Sequence, residues 1–195
     1  MMGLTVTRSA GKAFSAHNLL RVIVALLLVM TLAACATRPH VVAHGFAFNG
    51  WRDHWYPQIT VLEYAYGDKY HMTRRKNEDG VPPGTAVFGA MPVADFLYVR
   101  WRLQETGETF EERVDLRDRL PADLWAHYIT FVIDGPQLYV YVVTPEQIKV
   151  RLTKPPLRTW WSIDRVTYEI YPTVRSADRT YLGAAAPWAP ASHEH

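Results

Sequence analysis

The sequence predicts a mainly β chain, an antiparallel β-sandwich or curled sheet with one or two short helices. Three observations point there. Leu97, Val99, Trp101 and Leu103 alternate with Tyr98, Arg100 and Arg102, the two-residue period of a half-buried strand. Two apolar runs, 128–133 and 138–143, meet across Asp134-Gly135-Pro136-Gln137, a turn sequence. Further short runs rich in β-branched and aromatic residues recur between turn signals. With 195 residues, 49% of them apolar, the chain has material for a single core of ordinary domain size.

Taken in order, residues 1–21 are basic and free of acid, and 22–32 form an apolar run of 11 residues. A helix needs roughly 20 apolar residues to cross a bilayer, so 1–34 reads as a signal peptide and stands apart from the fold. Residues 35–44 read as a tether containing Pro39, with an edge strand expected at Val41-Val42. A single β-rich domain is expected over 45–183, and an Ala/Pro-rich flexible tail over 184–195.

Within the domain, 59–66 reads as a strand, and 67–89 as a long loop, a disordered or flexible flap. Strands 97–103 and 109–116 form a hairpin through Glu105-Thr106-Gly107-Glu108. Placing Gln104 opposite Thr109 sets Arg102 against Glu111 and Leu103 against Phe110. That register leaves Arg100 against Arg113 and Trp101 against Glu112, two discordant pairs that a bulge would relieve. The runs 128–133 and 138–143 are apolar on both faces and belong in the middle of a sheet. Strands are further expected at 166–171 and 148–152, and short helices at 121–126 and 145–148, each opened by a proline.

Charge excludes one class of function. The formal net charge of +2 includes Arg8, Lys12 and Arg21 of the leader, so the remainder holds 18 bases against 19 acids. A nucleic-acid binder recognised by its overall charge is thereby excluded. The single cysteine makes no intrachain disulfide and no cysteine-based zinc site.

Leu32-Ala33-Ala34-Cys35, at the end of the apolar run, resembles the lipobox of bacterial lipoproteins. The resemblance implies a diacylglyceryl group on the Cys35 thiol, cleavage before Cys35 and acylation of the new amino group. Each buried methylene is worth about 0.8 kcal/mol, so two or three acyl chains on one residue hold the protein on its membrane. Ala36 and Thr37 follow in place of the retention aspartate of the family, which implies the periplasmic face of the outer membrane rather than the inner. Ala34-Cys35-Ala36 also fits ordinary signal peptidase cleavage, which would release a soluble periplasmic protein.

Catalytic signatures are scarce. No G-x-S-x-G elbow, phosphate loop or dinucleotide fingerprint occurs. Among the histidines, His40/His44 and His193/His195 pair only locally, and a site joining Asp53, His54, His71 and His127 would need convergence in space. No cofactor or metal is expected. Carboxylates for glycoside hydrolysis would come from Glu111, Glu112, Asp115, Asp118 and Asp123, but the alternation of acid and base over 111–119 is the habit of a solvated strand. Arginine outnumbers lysine 16 to 5, and aromatic residues cluster. Trp, Tyr and Arg dominate binding hot spots, so Trp51, Trp55, Arg100, Arg102, Tyr139 and Tyr141 are the candidate binding residues.

Segments 97–102, 114–121 and 135–141 resemble small uncharacterised lipoproteins of proteobacteria, some encoded beside type VI secretion effectors. The expected function is therefore a membrane-anchored, non-enzymatic module that binds a periplasmic protein, with immunity against a secreted toxin as its sharpest form. The alternatives are an envelope glycan or lipid hydrolase using Asp115 or Glu112, and a structural or assembly lipoprotein.

Overall fold

The computed structural model describes residues 40–172. The leader, Cys35 and the 184–195 tail lie outside the described residues. Among the described residues nine strands form two sheets: β1 (Val41–Asn49), β2 (Ile59–Tyr66), β3 (Tyr70–Thr73), β4 (Gly84–Pro92), β5 (Phe96–Leu103), β6 (Thr109–Asp115), β7 (Tyr128–Asp134), β8 (Gln137–Gln147) and β9 (Arg165–Tyr171). One sheet has the order β4-β1-β7-β8-β9, the other β3-β2-β5-β6. The mainly β sandwich is as expected, except that β1 and β7 pair in parallel.

The two sheets are locked by aromatic side chains. Phe46 of β1 stacks on Tyr66 of β2 with centroids 5.0 Å apart, and Phe48 meets Tyr64 edge-on at 5.1 Å. Burial in such pairs adds about 0.5–1.5 kcal/mol each beyond the area removed from water. Beside them His44, fully buried, makes two hydrogen bonds: its Nδ1 lies 2.9 Å from the Val42 carbonyl and its Nε2 2.8 Å from the Tyr66 hydroxyl. A carbonyl only accepts, so Nδ1 carries the proton and Nε2 accepts from Tyr66. Trp101 ties the layers again, donating from Nε1 to the Gly135 carbonyl at 3.0 Å.

Strand β2 breaks the two-residue alternation of a regular strand. Ile59 and Val61 face the core, and so do Tyr64 and Tyr66, which an unbroken two-residue period forbids. A bulge between Val61 and Glu63 inserts Leu62 and reverses the parity. Glu63 and Ala65 consequently face away from the core.

Several expectations are corrected. Val41 and Val42 belong to β1, which lies between β4 and β7 rather than at an edge, so 41–44 is sheet and not tether. The 67–89 segment is not a disordered flap: it contains β3 and the start of β4, and Arg74 and Val81 donate backbone hydrogen bonds to β2. The β5–β6 register is displaced by two residues, with Arg102 opposite Thr109, Trp101 opposite Phe110 and Arg100 opposite Glu111. Gly107, at φ +74°, turns the chain earlier, and both discordant pairs disappear. No helix forms at 121–126, because Asp123 accepts from the Trp125 amide and Ala126 donates to the Ala43 carbonyl. At 145–148 the chain continues β8 to Gln147, which pairs with Arg165 of β9. Residues 148–152 form no strand and make two backbone bonds, from Ile148 and Leu152, to Asp164 and Ile163. The helical turn that does form, at Trp160–Ile163, is a 3-10 turn capped by Thr159.

Strand β7 and strand β8 are interior, as their two apolar faces require. The chain from Leu157 to Ile163 lies over their outer face, where Arg158 covers the Tyr139 ring at 4.0 Å and Trp161 stacks on Tyr128 at 5.2 Å. Tyr128 in turn lies flat across Gly45, where a Cβ would run into its ring. Gly45→Ala should therefore cost about 1–3 kcal/mol in urea unfolding. In a Tyr128→Ala background the same change should cost at least about 0.5 kcal/mol less, the coupling expected of groups in contact.

Candidate functional site

The outer face of the β3-β2-β5-β6 sheet carries a set of polar side chains that hold one another in place. The bulge at Leu62 delivers Glu63 to this face, and the carboxylate bridges two strands. One oxygen lies 2.8 Å from His71 Nε2 on β3, and the other 3.0 Å from Arg100 Nη2 on β5. In the next row Tyr98 donates its hydroxyl to Glu111 of β6 at 2.8 Å. Arg113 lies over the Phe96 ring at 3.3 Å, a cation–π contact that fixes the guanidinium. A shallow groove of ≈ 350 Å³ runs between these groups, lined by Glu63, Asp68, His71, Phe96, Tyr98 and Arg113. It adjoins a second, of ≈ 490 Å³, bordered by Asp95, Asp115 and Arg117.

The polar groups of this face hold one another. Both oxygens of Glu63 are engaged. Desolvation, with the Glu111 carboxylate as the second cause, pushes the Tyr98 hydroxyl up to about 12, so it stays a donor. Asp115, one of the acids expected of a hydrolase, is bound by the Arg117 side chain, which holds its carboxyl down at about 2. Glu112, the other, engages the Tyr171 hydroxyl. The face presents donors, acceptors and ring surface held in fixed positions.

The expected binding residues do not converge. Arg100 and Arg102 share this face, where Arg102 sits opposite Thr60 and Thr109. Trp51 is exposed beyond the end of β1. Trp55 is buried, stacked on Phe48 and Phe131. Tyr139 lies under Arg158, and Tyr141 is fully buried with its hydroxyl 3.2 Å from Glu169. Trp55 and Tyr141 are core residues. His71 is on Glu63, and His127 is against the Trp125 carbonyl. Among the described residues no group of three or more His, Cys, Asp or Glu is placed to hold a metal ion.

One residue went unread in the sequence, and another was weighed there only as a metal ligand. Glu63 gave no signal, because its outward position depends on a bulge. Asp53 is the other: its Oδ1 accepts from the Trp160 amide at 2.6 Å, while its Oδ2 is enclosed without a partner. Burial pushes the carboxyl up to about 7 against the hydrogen bonds that favour its charge. The folded state thus binds this proton more tightly than the unfolded chain, and stability falls as pH rises from about 4 to about 7. Asp53→Asn keeps an acceptor for the Trp160 amide and removes the titration. At pH 8 it should be more stable than the parent by up to about 4 kcal/mol, with the difference closing near pH 4, measured by urea unfolding across pH.

No known protein family, no curated protein and no solved structure matches the chain, so its function is argued from these residues.

Proposed function

We propose that this chain is a lipoprotein anchored through Cys35 at the periplasmic face of the outer membrane, and that its β-sandwich binds another protein without performing chemistry. An immunity protein that neutralises a secreted toxin is the sharpest form of the reading. The observation that carries it is the Glu63 bridge to His71 and Arg100, flanked by Tyr98–Glu111 and Arg113–Phe96. Side chains already fixed by one another lose little freedom on docking, which is the main cost of ordering an interface. Arg and Tyr are also the residue types on which binding energy concentrates. The lipobox Leu32-Ala33-Ala34-Cys35 supports the anchor, and the tether then keeps the domain within reach of the leaflet.

Two measurements test it. Radioactive palmitate should label the wild-type protein and leave Cys35→Ala unlabelled; an unlabelled wild-type protein removes the anchor. The non-lipidated Cys35→Ala form, used as bait in envelope extract, should recover one stoichiometric protein partner. Adding Tyr98→Ala and Arg100→Ala should weaken that capture at least tenfold, about 1.4 kcal/mol. Repeated empty captures, or capture indifferent to the face, contradict the reading.

A further inference from the structure

Among the described residues, the four edge strands of the two sheets are not protected alike. Strand β6 carries Glu111, Glu112, Arg113 and Asp115, β9 carries Arg165 and Glu169, and β3 is four residues long. Charge and shortness are the usual devices that stop an edge from pairing with another chain. Strand β4 has neither: Gly84-Thr-Ala-Val-Phe-Gly-Ala-Met-Pro92 runs nine residues without a charge, and Phe88 at its centre is 55% exposed.

The hydrogen-bonding direction of each β4 residue follows from its neighbours. Gly45 donates to His127, and Ala43 accepts from Ala126, so the odd residues of β1 aim at the β7 side. The even ones aim at β4, where Val42, His44, Phe46 and Phe48 stand opposite Met91, Gly89, Val87 and Thr85. That leaves Gly84, Ala86, Phe88, Ala90 and Pro92 with their backbone groups aimed away from the sheet. Among the described residues nothing pairs with them.

This free edge is self-complementary about Phe88. We propose that β4 pairs antiparallel with β4 of a second copy of this chain, with the two-fold axis passing between the two Phe88 residues. In that register Phe88 faces Phe88, Ala86 faces Ala90 and Gly84 faces Pro92. Each free N–H meets a free C=O, and the N–H that proline lacks falls at the end of the ladder, where only Gly84 donates. No like charges meet, because the strand has none. Such a contact is isologous and closes as a dimer instead of growing into a fibre.

The exposed apolar side chains fall where this pairing needs them. Val41 stands opposite Pro92 at one end of the strand, and Trp51 packs beside Gly84 at the other. Both are more than half exposed. The two-fold axis brings Trp51 of each copy towards the Val41 end of the other, so both ends gain apolar cover. The two Phe88 rings would also join the ring rows Phe88–Tyr128–Trp161–Trp160 of both copies across the axis. The outer faces of the four-stranded sheets stay open, giving a dimer two docking faces.

Sedimentation velocity on the full chain in detergent should show a dimer that dissociates on dilution. Ala86→Pro removes an edge donor that β1 does not use, and Phe88→Lys sets two charges face to face. Each should weaken the dimer at least tenfold while far-ultraviolet circular dichroism stays unchanged. The register has its own readout in the Cys35→Ala chain, which lacks other thiols. Phe88→Cys should give a disulfide-linked dimer under mild oxidation, because opposed residues lie about 5.5 Å apart. Thr85→Cys should not, because its two copies would be about 20 Å apart. A monomer up to about 100 μM overturns the proposal, whether the β4 amides exchange freely or are protected by another part of the chain. So does a dimer that ignores both substitutions, or that crosslinks at Thr85 rather than Phe88.

Discussion

The parity of β2 is the constraint on which the rest of the structure depends. Four of its side chains, Ile59, Val61, Tyr64 and Tyr66, belong to the core, and they satisfy the pleat only if one residue is inserted between Val61 and Tyr64. The insertion at Leu62 lets Tyr66 stack on Phe46 and reach His44, which joins the two sheets. The same insertion turns Glu63 outward to bridge β3 and β5. The polar face is therefore a consequence of how the aromatic core is packed. A change at the bulge would disturb both at once.

Much of the fold was legible because two signals are local. Strand β5 follows from alternation, β2 from its run of β-branched and aromatic residues, and the β7–β8 hairpin from its turn residues, while the interior place of β7 and β8 follows from their two apolar faces. What escaped was decided by turn geometry and by contacts outside the strand pattern. The 121–126 segment has the look of a helix start, but Asp123 and the contact of Ala126 with β1 settle it as a turn. The 67–89 segment looks like a flap because its strands are short or glycine-bearing, and their partners lie in β1 and β2. The hairpin register lies two residues from the one the strand pattern predicts, because Gly107 sets where the chain turns.

The candidate site was legible only in part. Arg100 and Arg102 sit on it, since outward positions of a clear strand can be read directly. Composition alone could not separate Trp55 and Tyr141, which fill the core, from residues available to a partner. The outer faces of the two sheets also differ in a way no local pattern announces. One is overlaid by the chain from Leu157 to Ile163, and the other presents its charged rows to solvent along a groove. That asymmetry is the physical basis for placing a partner on the four-stranded sheet. The face proposed for docking is shallow, and a preformed protein-binding surface of that kind needs no cleft.

A photoreactive side chain placed at Tyr98 in living cells, with a second at the exposed Val150 as its control, tests the binding claim most directly. The account predicts one discrete protein adduct from the Tyr98 position and none from Val150. Absence of any adduct at Tyr98, or the same adducts from both positions, would contradict it.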